Sequence, residues 1–128
     1  MVAWGDEADR QEKQRRVDAA VARATASHMS NTKWRKVFAA LLELGVGPVR
    51  WKFVGDDHVF VQSVPPAHAV LERMLGDVLP YPYGQYREIE WVEVPAARAA
   101  GVIEALAAVG QFPVRQCDTG LRVVGYTW

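Results

Sequence analysis

Cysteine occurs once, as Cys117, and histidine three times, as His28, His58 and His68. One cysteine excludes an intramolecular disulfide and points to a reducing cytoplasm, and neither residue type is spaced as metal ligands are. No stretch approaches the roughly 18 consecutive apolar residues of a membrane span, and the acidic start from Met1 to Asp9 offers no secretory h-region. Net charge is absent too, with 15 basic against 15 acidic residues. That balance excludes the strong basic excess of a protein that neutralises many phosphates, although residues 1–36 carry a local +3 and residues 37–128 a local −3. No glycine-rich loop follows a strand pattern, so nucleotide binding has no support. Neither a metal nor a cofactor is expected.

What is present is half hydrophobic, in a chain of 128 residues. A chain of this length buries roughly two thirds of its unfolded surface and folds without a staple. Asn31 to Gly45 reads as a complete helix. Asn31 or Thr32 stands at the cap, Trp34, Val37, Phe38, Leu41 and Leu42 make one buried stripe, and Gly45 closes it. Asp6 to Ala26 also reads as helical, with Asp6–Arg10, Asp9–Lys13 and Glu12–Arg16 at i, i+4 spacing. Its apolar stripe is thin, limited to Val17, Val21 and Ala24. Residues 1–30 are therefore expected to form a charged helical arm that docks by its second half, followed by a single α+β domain over residues 31–128. In the alternative, the first half docks on a partner or a second copy of the chain, anchored by Trp4.

Val49, Trp51 and Phe53 alternate with Arg50 and Lys52, Gly55-Asp56-Asp57 is turn chemistry, and Val59 to Val64 follows as a second strand. Pro66 opens a short helix with Ala67, Val70, Leu71, Met74 and Leu75 on one face. Leu79 to Gln85 is a proline-rich loop. Arg87 to Val94 is a strand, with Ile89 and Trp91 assigned to one side and Glu88 and Glu90 to the other. Pro95 opens a helix to Val109 whose buried stripe is Val102, Ile103, Leu106 and Val109, with Gly101 inside it for close packing on the sheet. Phe112 to Gln116 and Leu121 to Trp128 form a second hairpin. The order ααββαβαββ, with two hairpins and no βαβ rhythm, predicts a mainly antiparallel sheet of about five strands with helices on one face.

Asn31-Thr32-Lys33-Trp34-Arg35, Tyr86-Arg87-Glu88-Ile89-Glu90-Trp91 and Thr119-Gly120-Leu121-Arg122-Val123-Val124-Gly125-Tyr126 resemble an uncharacterised family of small bacterial proteins, a domain of unknown function. The resemblance covers three islands from Asn31 onward, and Val54 to Leu79 departs from it. It implies a bacterial cytoplasmic protein and carries no catalytic residue. Small orphan α+β proteins of this character are similar to immunity proteins that neutralise toxins, which is an analogy between classes.

Candidate chemistry is sparse. Asp56, Asp57 and His58 sit where a turn favours aspartate on conformational grounds alone. Glu88, Glu90 and Glu93 could supply a carboxylate pair to a small hydrolase-like enzyme, and Cys117 reads as an inert turn residue. Trp34, Trp51 and Trp91 are assigned to the core. The best binding feature is the loop of Tyr81, Tyr83 and Tyr86 with Arg87 and Glu88. Proline pre-sets its backbone, and tyrosine offers large contact area at low entropic cost. These five residues are the expected contact site for another protein, a toxin in the immunity analogy, with self-association through the N-terminal helix as the other partner expectation.

Overall fold

A computed structural model describes residues 3–66 and 79–128, with side chains in the first helix from Glu7 onward. The helix expected after Pro66, with His68, lies outside the described residues. Helix α1 spans Ala3–Arg23, strand β1 Ala26–Ser27, helix α2 Asn31–Glu43, β2 Val49–Phe53, β3 Val59–Gln62 and β4 Ile89–Pro95. A 3-10 turn at Ala96–Arg98 leads into helix α3, Ala99–Ala107, and β5 (Val114–Cys117), β6 (Gly120–Val124) and β7 (Tyr126–Thr127) close the chain. The fold is α+β. Strands run antiparallel in the order β3-β2-β4-β6-β5, and β1 pairs with β7 in a separate two-stranded ribbon.

Ser30, rather than Asn31 or Thr32, caps α2, its hydroxyl accepting the Lys33 N–H at 3.1 Å. Gly45 ends the helix at φ +67°. The three helices among the described residues feed one core on one face of the sheet: Val17 and Ala20 from α1, Trp34, Val37, Phe38 and Leu41 from α2, and Val102 and Leu106 from α3. A row of rings crosses it. Trp34 stacks on Phe38, Phe38 meets Trp51 at 5.4 Å between centroids, and Phe53 stacks on Tyr83 at 3.9 Å and 2° between planes. Such offset pairs add about 0.5–1.5 kcal/mol each beyond the area they bury.

Four sequence expectations are corrected. Ile89 and Trp91 do not share a face, because the register between β2 and β4 shifts at Lys52/Phe53: Lys52 pairs with Trp91 but Phe53 pairs with Ile89, leaving Glu90 as the extra residue of a β-bulge. Ile89 therefore enters the core while Trp91, still buried, packs on the opposite face. Glu88 is not in the strand, which begins at Ile89. Val109 is 47% exposed rather than part of the α3 stripe. Gly101 does not pack closely on the sheet, since a Cβ placed there meets nothing within 4 Å.

Gly120 and Gly125 are the close approaches. A Cβ on Gly120 would lie 2.0 Å from the Val94 carbonyl oxygen of the paired strand, and one on Gly125 would lie 2.6 Å from the Ile89 carbonyl. Gly125 also switches the chain between sheets, donating to Glu90 O at 2.6 Å and accepting from His28 N at 2.8 Å. The two expectations for glycine substitution are thus opposite. Gly120→Ala lowers the unfolding free energy by about 3 kcal/mol or prevents folding, because backbone cannot yield as a side chain does. Gly101→Ala raises it by about 0.5–1 kcal/mol, through helix propensity and unfolded-state entropy. Urea denaturation of both variants checks the pair.

Candidate functional site

The loop expected to bind a partner is built around a buried carboxylate. Glu88, 0% exposed, lies in a 3-10 turn over Tyr86–Glu88, and its Oε1 accepts the backbone N–H groups of Gly84 at 2.8 Å and Gln85 at 2.9 Å. Its Oε2 accepts from the ammonium of Lys13 on α1. The Glu88 carbonyl accepts Val54 N–H at 2.9 Å, tying the loop to the end of β2. A buried charge needs this many donors, since desolvating it alone would cost several kcal/mol.

Tyr83 makes the second tie. Its ring lies flat on Phe53, and its hydroxyl accepts from Arg16 at 2.7 Å and donates to Asp56 Oδ2 at 2.6 Å. Burial first, and then the Asp56 carboxylate, push the Tyr83 phenol up to about 12, against the opposing pull of Arg16. Burial would raise the Asp56 carboxyl, but the bonds from Tyr83 and from the His58 N–H, with the Arg16 charge, hold it below its usual range. The phenol is thus the proton holder and Asp56 the acceptor. At the turn, the Cβ direction of Gly55 points at the Arg16 Cγ, 3.0 Å away, so a bare glycine is what lets α1 lie against the hairpin. Arg87 pairs with Asp18 of α1 at 3.0 Å, and its carbonyl accepts the Tyr126 hydroxyl at 2.6 Å.

Of the five residues expected to contact a partner, the structure brings all into one loop but leaves only two at the surface. Tyr83, Tyr86 and Glu88 are buried and serve the fold, whereas Tyr81 is 54% exposed and the Arg87 side chain 40%. The helical arm is bound to this same loop. Lys13 and Arg16 turn inward to Glu88 and Tyr83, in place of the i, i+4 pairs with Asp9 and Glu12, and Glu12 pairs with Arg15 instead.

A second polar cluster occupies the opposite face of the sheet. Glu93, 2% exposed, accepts from Arg122 Nε at 2.9 Å, Thr119 Oγ1 at 2.9 Å and the Cys117 thiol at 3.2 Å, with Arg50 at 3.6 Å. Burial alone would raise its carboxyl, but the bonds from Arg122, Cys117 and Thr119 outweigh it and hold the group below its usual range. The Arg122 guanidinium lies 4.0 Å from the centroid of the Trp91 ring, a cation–π contact. Residue spacing alone misses this cluster. One signal for it exists, because the apolar positions jump phase from Ile89 and Trp91 to Val92 and Val94.

The carboxylates suggested for catalysis are dispersed. Asp56 serves Tyr83, Glu88 serves the loop, Glu90 pairs with Lys52 at 2.8 Å and Glu93 serves the outer cluster, while Asp57 is exposed and the His58 ring packs edge-on against Phe60. Among the described residues no group of three or more His, Cys, Asp or Glu is placed to hold a metal, and no helix is long and apolar enough to cross a membrane. Protein-family models, curated proteins and solved structures give no match to this chain.

Two outcomes follow from the ties to α1. Lys13→Ala leaves Glu88 with its two backbone donors, so the loss falls at the low end for a broken buried pair, about 3 kcal/mol by urea denaturation. Replacing both groups, as Lys13→Met with Glu88→Gln, recovers most of it. Tyr83 has a folded pKa above its ordinary value of 10.0. Its contribution is therefore complete below that pH and is lost as pH rises from about 10 towards about 12. Tyr83→Phe is less stable at neutral pH by about 1–3 kcal/mol, and its stability falls less steeply over that alkaline window.

Proposed function

We propose that this protein works by binding another protein, through a surface centred on Tyr81 and Arg87 and continued by the exposed residues 7–12 of α1. The observation that carries this reading is the contrast within one loop: Tyr81 stands 54% exposed while its neighbours Tyr83 and Glu88 are held at 1% and 0%. A large ring presented on a backbone already fixed by its neighbours binds with little further ordering cost, which is how aromatic anchors supply affinity. The Tyr83 N–H bond to Pro80 O at 2.9 Å and the Glu88 bonds to Gly84 and Gln85 are what hold that backbone. Arg87 beside it adds a planar donor suited to a carboxylate on the partner.

Within this reading the closest role by size and character is that of an immunity protein in a bacterial cytoplasm, with a toxin as its partner. The support is the analogy between classes and the resemblance carried by the Asn31, Tyr86 and Thr119 islands. Dispersal of the carboxylates into separate structural duties favours binding over a hydrolase-like activity.

The test is capture of partners from cells of the source organism by the immobilised chain, with Tyr81→Ala and Arg87→Ala compared singly and together. Each single change weakens capture of a specific partner by at least about tenfold, the loss expected when a central aromatic or arginine anchor is truncated. Circular dichroism should match the parent, since both side chains lie at the surface. Capture that is unchanged by the double substitution would remove the site assignment.

A further inference from the structure

The outer faces of α2 and α3 frame an open groove of about 500 Å³, lined by Lys36, Ala39, Ala40, Glu43, Leu44, Ala105, Ala108 and Val109. Its floor is alanine and its polar groups are confined to two side chains of opposite sign. Lys36, Ala39, Ala40 and Glu43 follow the i, i+3, i+4, i+7 spacing, so they form one stripe along α2 with a cation at one end and an anion at the other. Among the described residues neither Lys36 nor Glu43 has an ion-pair partner, and both are exposed.

The charges on this helix also run against its own dipole. Its first turn contains no acidic residue but does contain Lys33, and its last turn contains no basic residue but ends on Glu43. A carboxylate beside the negative end of a helix is unfavourable, and so is an ammonium beside the positive end. An antiparallel helix laid alongside would reverse both, bringing the positive end of its own dipole and a lysine to Glu43.

We infer that this groove is the interface of a symmetric dimer of the chain, with α2 packed antiparallel on α2 of a second copy about a two-fold axis passing near Ala39. In that arrangement Lys36 of each copy faces Glu43 of the other, so one pair of residues supplies two ion pairs, as an isologous contact requires. Alanines at the crossing allow the helix axes to approach closely. The half-exposed Val109 and the alanines of α3 then close over the neighbouring helix, which gives this apolar flank a partner within the species. The interface shares no residue with the Tyr81 and Arg87 surface.

Sedimentation equilibrium of the full chain tests this with exposed substitutions that leave the core untouched. The parent is expected to dimerise. K36E and E43K each turn two attractive contacts into two repulsive ones and weaken self-association by about tenfold or more. Mixing the two variants restores association as a heterodimer, since the glutamates of one chain then face the lysines of the other. A39E, which sets two carboxylates together at the axis, abolishes the dimer while circular dichroism reports an intact fold. A chain monomeric at every concentration overturns the inference, and so does a dimer indifferent to the charge changes or one that mixing fails to restore.

Discussion

The described fold turns on one carboxylate that water never reaches. Glu88 is bonded on one oxygen by two N–H groups of its own loop and on the other by the Lys13 ammonium from the opposite end of the sequence. Those contacts decide where the proline-rich segment leaves the sheet, where β4 begins and where α1 must lie. A buried ion pair adds little net stability compared with apolar residues of equal volume, but a half-made one is costly. What the pair contributes is uniqueness. The thin apolar stripe of Val17, Ala20 and Val21 could slide along the core, whereas a lysine that must meet Glu88 cannot.

The bulge at Glu90 has the next widest reach. One extra residue in β4 turns Ile89 into the core and Trp91 out of it, so that one strand furnishes both the hydrophobic layer beneath the helices and the aromatic base of the outer cluster. Arg122 then covers Trp91 and meets Glu93, which also holds Thr119 and Cys117 across the hairpin turn. The outer face is thereby sealed by polar groups that satisfy one another. Cys117, read as an inert turn residue from the sequence, is better described as a donor to that buried carboxylate.

The parts of the fold visible in the sequence are those with local causes. The α2 helix, its Gly45 stop, the Gly55-Asp56-Asp57 turn and the turn of the second hairpin depend on residues within a few positions of each other and lie where expected, whereas the strand expected over Leu121–Trp128 is split at Gly125, its end pairing with β1 as β7. The misplacements share the opposite property. Lys13 with Glu88 and Arg16 with Tyr83 are separated by 75 and 67 residues, and no spacing rule connects them. Lys13 turns to Glu88 instead of Asp9 because a buried carboxylate attracts an ammonium more strongly than an exposed one does, while Asp6 of the expected Asp6–Arg10 pair lies outside the described side chains. Tyr83 and Tyr86 were compatible with either a recognition surface or a covered core edge. Their burial is decided by Phe53 and Phe38, which lie on other elements.

Polar ties of this sort give α1 a different standing from α2. Removing α2 would strip Trp34, Val37, Phe38 and Leu41 from the core at once, whereas α1 contributes chiefly Val17 and Ala20 and is held otherwise by hydrogen bonds and ion pairs. Local opening free energies follow such differences in buried apolar contact, so α1 is the element of lower local stability. Glu88 keeps Gly84 and Gln85 as donors within the rest of the chain, and the Tyr83 hydroxyl, which accepts from Arg16, also donates to Asp56. The loop is consequently built as a self-consistent unit on the sheet, on which the helix rests. The backbone around Tyr81 is accordingly held by the turn's own bond from Tyr83 N–H to Pro80 O, while the Tyr81 hydroxyl reaches Asp9 of the helix beside it at 3.4 Å.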